Sequence, residues 1–280
     1  MNDNNKYKKS LFFGAISGPI AKSIIAPLDR LKIIYQTNNM TFSWYNMTMY
    51  SKTLIQREGG YKKLWKGNSV QMLRIAPASS LTYTFQKYFK NKLTDENGKL
   101  STKNGYIVGF LTGISSSFLL YPLDTLRCCI ATDISKETTK NIITDIVKSK
   151  GIISLYKGFY VSTLGMIPYS SLAWGSMYYL NTLLQTNFNK SNSESHILRS
   201  IALFSSVCFA QTFIYPIDVW RRRIQNSIKK KSNQTQIQIL SDIIKERSLF
   251  KGLTINLVKT PIVNTIGFTI FSILEEKYGK

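Results

Sequence analysis

Pro27-Leu-Asp29-Arg-Leu-Lys32, Pro122-Leu-Asp124-Thr-Leu-Arg127 and Pro216-Ile-Asp218-Val-Trp-Arg221 are three copies of one pattern, Pro-x-acid-x-x-base, in a chain of 280 residues. Their aspartates lie 95 and 94 residues apart. A second triplet, aromatic-Lys-Gly, recurs in the same register as Trp65-Lys66-Gly67, Tyr156-Lys157-Gly158 and Phe250-Lys251-Gly252, spaced 91 and 94. Two independent motifs in one phase define a tandem repeat, and a repeat outranks any local reading of the chain. The units are residues 1–98, 99–190 and 191–280.

Each Pro-x-Asp closes a stretch poor in charge. Gly158 to Asn189 holds no Asp, Glu, Lys or Arg; Asn104 to Leu123 is a second such run of 20 residues and Ser200 to Ile217 a third of 18. A hydrocarbon core about 30 Å thick asks for about 20 residues of helix. Three more apolar stretches are each broken by one cation: Lys22 within 10–28, Arg74 within 67–86 and Lys259 within 252–274. Six membrane helices follow, two per repeat, which gives an all-α membrane protein with pseudo-threefold symmetry. Gly, Ser, Thr and Tyr replace much of the usual Leu, as expected of helices that pack on small residues around a polar cavity. Gly14 and Gly18, and Gly105, Gly109 and Gly113, recur every four residues and predict close helix approach there. The start MNDNNKYKKS is polar and does not read as a cleavable secretory signal.

Composition excludes several function classes. One histidine leaves no His-built metal site or Ser-His-Asp triad, and Cys128, Cys129 and Cys208 form neither a disulfide framework nor a CxxC zinc ribbon. No paired carboxylates or nucleophile elbow point to an enzyme, and no cofactor or metal is expected. The net charge of +22 and mean hydropathy of −0.09 suggest a soluble nucleic-acid partner only when averaged over the chain. A basic, non-transporting membrane scaffold is the competing reading, with affinity falling steeply in salt.

Proline inside a helix removes a donor and bends it. An acid two residues and a base five residues after it share one helix face. An unpaired cation at mid-membrane is a functional residue by default, so Lys22, Arg74 and Lys259 together predict a positive cavity for an anion.

The two motifs in register resemble the mitochondrial carrier family, whose signature joins Pro-x-acid-x-x-base to acid-Gly-x4-aromatic-base-Gly, over essentially the whole chain. The resemblance implies a multi-pass antiporter of the mitochondrial inner membrane, acting as a monomer with short matrix-side surface helices. It implies a matrix gate of Asp29 with Arg127, Asp124 with Arg221 and Asp218 with Lys32, braced by Gln36 and Gln225, with kinks at Pro27, Pro122 and Pro216. It also implies cardiolipin headgroups at the three aromatic-Lys-Gly triplets. Repeat two has Lys150-Gly151 where the family has an acid, and repeat three lacks the glycine, which withdraws support for its surface helix and lipid contact. The family's cytoplasmic pairs are missing: the corresponding positions are Lys87 and Lys90, Tyr179 and Thr182, Ser272 and Glu275. A weak cytoplasmic closure is expected.

Arg74, Gly165-Met166 and Lys259 fall where carriers contact substrate, and Gly followed by an aliphatic residue is the family's adenine-nucleotide pattern, with Tyr169 one turn on. Strings such as Gly67-Asn-Ser-Val-Gln-Met-Leu-Arg74 and Asn256-Leu-Val-Lys-Thr-Pro-Ile262 look most like the coenzyme A carriers. The expected substrates are coenzyme A or adenosine 3′,5′-bisphosphate exchanged for ADP or ATP. An ADP/ATP or ATP-Mg/phosphate carrier is the alternative.

Overall fold

The computed structural model describes residues 3–38, 40, 42–95, 101–166, 168–169, 172, 176, 180, 192–230 and 234–278. Among these every regular element is helical. Five long helices, α1 (Asp3–Thr37), α3 (Asn68–Leu93), α4 (Thr102–Ala131), α7 (Asn192–Lys229) and α9 (Leu253–Tyr278), are joined by the start of another, α6 (159–166). Shorter helices α2 (Trp44–Glu58), α5 (Thr139–Lys150) and α8 (Gln236–Lys245) follow α1, α4 and α7, and short 3-10 turns, Tyr61–Trp65 and Ile152–Tyr156, follow α2 and α5. The long helices run through Pro27, Pro77, Pro122, Pro216 and Pro261 without a break. Among the described residues, Asn104–Ala131 and Leu253–Tyr278 are long and apolar enough to cross a bilayer by themselves. The other long helices reach that length but carry more polar side chains.

Repeat three does form its surface helix, contrary to the expectation from its lost glycine. Thr235 caps α8 through a reciprocal box with Gln238, which satisfies two donors that a helix start leaves open. Its other end uses Arg247 with φ 50 where α2 ends on Gly59 with φ 84. Ile239 and Ile243 then bury one face. A left-handed arginine costs about 1–2 kcal/mol, and burial of the two isoleucines at about 1.5–3 kcal/mol each outweighs it.

Among the described residues the core forms three larger clusters, each joining one repeat to another, and a small fourth of Ile33, Cys128 and Ala131 between α1 and α4. Leu31, Ile34 and Tyr35 of α1 pack with Met47 and Leu54 of α2 and with Ile255 of α9. Leu126, Cys129 and Ile130 of α4 pack with Ile142 and Ile146 of α5 and with Val70 of α3. Val219 and Ile224 of α7 pack with Ile239 and Ile243 of α8 and with Val161 of α6. In each of the three larger clusters the odd helix and surface helix of one repeat receive the first turns of the even helix from the preceding repeat, so the packing closes in a circle.

The triplet glycines sit where that circle closes. Gly252 has φ 85, and a Cβ on it would lie 2.9 Å from Tyr215 Oη and 3.4 Å from both Gln36 Cγ and Lys32 O. Gly67 faces Arg127 O and Gly158 faces Ile224 in the same way. The four-residue glycine series behaves differently from the expectation: Gly14, Gly18, Gly109 and Gly113 have nothing within 4 Å of a built Cβ. The glycines that a neighbour does approach closely, Gly67, Gly158, Gly165 and Gly252, lie toward the proline ends of the odd helices. We expect Gly252→Ala to destabilise by about 2 kcal/mol or more, from the left-handed backbone and the tyrosine contact. Gly14→Ala should be neutral or slightly stabilising because it sits in open space on a helix. Thermal unfolding of the two variants in detergent separates them.

Candidate functional site

The odd helices meet at their proline ends, and three aspartates that sequence places on one face converge there. Arg127 Nη2 donates to Asp29 Oδ2 at 3.0 Å, Lys32 Nζ to Asp218 Oδ2 at 3.0 Å, and Arg221 Nη2 lies 3.3 Å from Asp124 Oδ2. Each pair joins one repeat to the next. Burying charge costs several kcal/mol per ion unless it is paired with good geometry, so the three form a mutually dependent ring.

The aspartates' second oxygens change the reading of the lone cations. Lys259 Nζ donates to Asp29 Oδ1, and Arg74 Nε stands 2.9 Å from Asp124 Oδ1 as a charge contact without hydrogen-bond alignment. Two of the three cations expected to be unpaired therefore rest on the ring. Lys22 forms no ion pair among the described residues and is half-buried. Asp218 receives a neutral donor as well, Gln36 Nε2 at 2.9 Å, with Arg222 Nε 3.9 Å from its other oxygen. Gln225 does not brace its pair in this way. Its oxygen accepts from Arg222 Nη1 at 3.1 Å and its amide donates to Thr125 at 3.4 Å, while Arg74 takes the place beside Asp124. Around the three aspartates stand Lys22, Lys32, Arg74, Arg127, Arg221, Arg222 and Lys259, a clear excess of positive charge.

A cavity of about 290 Å³ adjoins the ring. Gly165, Met166 and Tyr169 line one side, Gln211 and Asn256 another, and Lys32, Asp218 and Arg221 its floor. Gly165 packs against Ile217 and Ile214, with a built Cβ 3.2 Å from the former. Of the cytoplasmic-end positions, Tyr179 and Thr182 lie outside the described residues; Lys87, Lys90, Ser272 and Glu275 make no ion pair among those described.

The aromatic-Lys-Gly triplets open α3, α6 and α9, but their lysines are not alike. Lys66 turns inward and donates to Asp133 Oδ2 at 2.5 Å and Ser135 O at 2.8 Å, so its ammonium is withdrawn from a lipid surface. The main-chain carbonyls of Lys157 and Lys251 accept the hydroxyls of Tyr121 at 3.4 Å and Tyr215 at 2.9 Å. Both tyrosines immediately precede the motif proline. Repeat one has Ala26 there, and Trp65 Nε1 instead donates to Ser23 O at 2.8 Å. Phe250 and Trp65 stay exposed, while Tyr156 stacks beside Tyr121 and Phe118.

Sequence reasoning missed two clusters. Arg30 is sealed from solvent and spends all five donors: on Glu58 through both carboxylate oxygens, and on the carbonyls of Ala131, Lys63 and Asp133. Asp133 accepts from Lys66, Lys229 and the Ser135 hydroxyl, tying repeat two to both neighbours. The Tyr-Pro dipeptides of repeats two and three were a legible signal; nothing around Asp133 was. Burial alone would raise the Asp133 carboxyl, but hydrogen bonds from Lys229, Lys66 and Ser135 outweigh it and hold it well below the usual carboxylate range. A depressed native pKa stabilises above the unfolded value of about 3.9 and is lost as pH falls below it. Asp133→Asn should destabilise by about 3 kcal/mol at neutral pH, since Lys66 would stay buried without its carboxylate. Unfolding followed against pH should show that penalty shrinking below about pH 4.

A threefold helical repeat around a ring of interrepeat ion pairs, with a cavity lined by Lys32 and Arg221 beside it, defines a membrane carrier. The mitochondrial carrier protein family model matches residues 3–97, 98–188 and 193–280, and the chain belongs to the mitochondrial carrier family. It is a multi-pass protein of the mitochondrial inner membrane and a transporter, not an enzyme. It is 32% identical, over 95% of its length and 84% of the relative's, to the mitochondrial coenzyme A transporter SLC25A42 of Xenopus laevis. The human protein of that name is 31% identical over 98% and 89%, and mitochondrial substrate carrier family protein P of Dictyostelium discoideum is 30% identical over 97% and 94%.

Proposed function

We propose that this protein is an antiporter of six transmembrane helices that exchanges coenzyme A or adenosine 3′,5′-bisphosphate for ADP or ATP by alternating access. The observation that carries the reading is the pairing of Lys259 with Asp29 and of Arg74 with Asp124, the same aspartates that hold the ring shut. A phosphate entering the cavity competes for those two cations through charge-assisted bonds. Each cation drawn away leaves its aspartate held by one partner instead of two, and binding energy thereby offsets part of the cost of opening the matrix gate. Lys22, already without an ion-pair partner among the described residues, is the first anchor for an incoming anion. The cavity beside Gly165, Met166 and Tyr169 takes the base: the tyrosine supplies a stacking face, and Gly165 lets Ile214 and Ile217 of α7 close against α6 to form the wall. The names of the relatives from Xenopus and human support coenzyme A as the compound carried. Transport requires no second copy in this scheme. Cardiolipin phosphates bind at the starts of α3, α6 and α9, through backbone amides rather than through Lys66.

Reconstitution into liposomes with labelled coenzyme A, adenosine 3′,5′-bisphosphate, ADP and ATP tests the assignment. Exchange among these compounds is expected, and exchange of carboxylates or amino acids instead would overturn it. Arg74→Ala and Lys259→Ala should each reduce exchange to the level of empty liposomes, and full activity in both would remove these residues from the site.

A further inference from the structure

The cavity beside the ring contains a polar element that neither the phosphates nor the gate uses. Asn256 Nδ2 on α9 donates to Gln211 Oε1 on α7 at 2.7 Å. The Thr260 hydroxyl, bonded to Asn256 O at 2.8 Å, reaches the same glutamine oxygen at 3.5 Å. The oxygen of Gln211 is thus spent and its amide orientation set from two directions. What remains is the other half of each side chain: Gln211 Nε2 as a donor and Asn256 Oδ1 as an acceptor, neither with a protein partner among the described residues. Both residues line the cavity. The hydroxyl of Tyr215, also in its wall, is committed to Lys251 O and does not compete.

A fixed donor beside a fixed acceptor, joined through one hydrogen bond, is a pattern complementary to one edge of a purine. Adenine offers an amino donor at position 6 next to a ring-nitrogen acceptor, whereas a 6-oxo purine offers an acceptor at position 6. At about 290 Å³ the cavity is at the small end of ligand pockets, about 300–1,000 Å³, and suits one heterocycle rather than a whole nucleotide conjugate. We propose that Asn256 and Gln211 are the specificity-determining pair that selects a 6-amino purine. The amino group at position 6 donates to Asn256 Oδ1, and the neighbouring ring nitrogen accepts from Gln211 Nε2. A 6-oxo base held in the same orientation by its phosphates sets its oxygen against Asn256 Oδ1 and its N1–H against Gln211 Nε2, acceptor on acceptor and donor on donor, a mismatch that polar sites reject strongly. The proposal rests on the carrier reading above and adds to it the part of the base that is read.

Competition against labelled coenzyme A uptake in proteoliposomes tests it, with adenosine 3′,5′-bisphosphate and inosine 3′,5′-bisphosphate as competitors that differ at position 6 and share the same phosphates. The wild type should favour the adenosine compound by about tenfold, the lower range for a matched donor–acceptor pair. Asn256→Ala should bring that ratio close to one, with coenzyme A uptake lowered as well because the same base is read. Gln211→Met, similar in volume, should do the same and decides the matter if Asn256→Ala does not fold. Equal competition in the wild type, or an unchanged ratio in the variants, overturns the pair's role and leaves the carrier reading standing. Absence of coenzyme A uptake by the wild type removes the carrier reading and the inference with it.

Discussion

A carboxylate has two oxygens, and the architecture of this carrier depends on how three of them are divided. Asp29 and Asp124 each give one oxygen to a base from the next repeat and the other to a cation from an even helix, Lys259 of α9 or Arg74 of α3. One ring base already neutralises each carboxylate, so the second cation adds net positive charge to a partly buried site and is held there by the ring. Closure of the ring and the charge of the cavity are therefore one electrostatic system, not two adjoining sites. Asp218 is the exception: Lys32 and the neutral Gln36 share one oxygen, and the other faces Arg222 of its own helix at 3.9 Å, so among the described residues no cation from an even helix is there for an anion to draw away. The ring is threefold in position and twofold in how it answers a substrate.

The same interdependence governs packing. No repeat holds a complete core of its own, because each odd helix and its surface helix wait for the even helix of the preceding unit. The triplet glycines mark those junctions, and their left-handed backbones bring α3, α6 and α9 against the neighbouring odd helix at the distance of a missing methyl group. Arg30 and Asp133 add a second level of interrepeat bonds beside the ring, and Arg223 of repeat three has a similar place, donating to Gln36 O and Glu246 as Arg30 does to Ala131 O and Glu58.

Much of this was legible in the sequence. The repeat and the helical class follow from motifs at fixed spacing and the lone cations from charge-poor runs, while the ring partners are what the family resemblance implies. The surface helix of repeat three was misjudged because one lost glycine was weighed above a capping box that Thr235 and Gln238 also encode. The glycine series from Gly14 to Gly113 was misread because small residues permit close approach but do not require it. Partners reached across the bundle stayed hidden: that Arg74 stands beside Asp124, or Asn256 beside Gln211, depends on tertiary placement. Asp133 was invisible for the same reason, as an aspartate after a helix end reads as an ordinary solvated residue.

The circular packing also constrains how the chain comes together. Asp29 is complete only when Lys259 arrives, Lys32 only when Asp218 does, and the pocket that α1 and α2 build is capped by Ile255. A polypeptide made from its amino terminus therefore carries an unfinished first repeat, with charges and apolar surface exposed, until its last hundred or so residues emerge. Contacts so distant in sequence are slow to form and leave intermediates prone to aggregation. The final event of assembly is the closure of repeat three against repeat one.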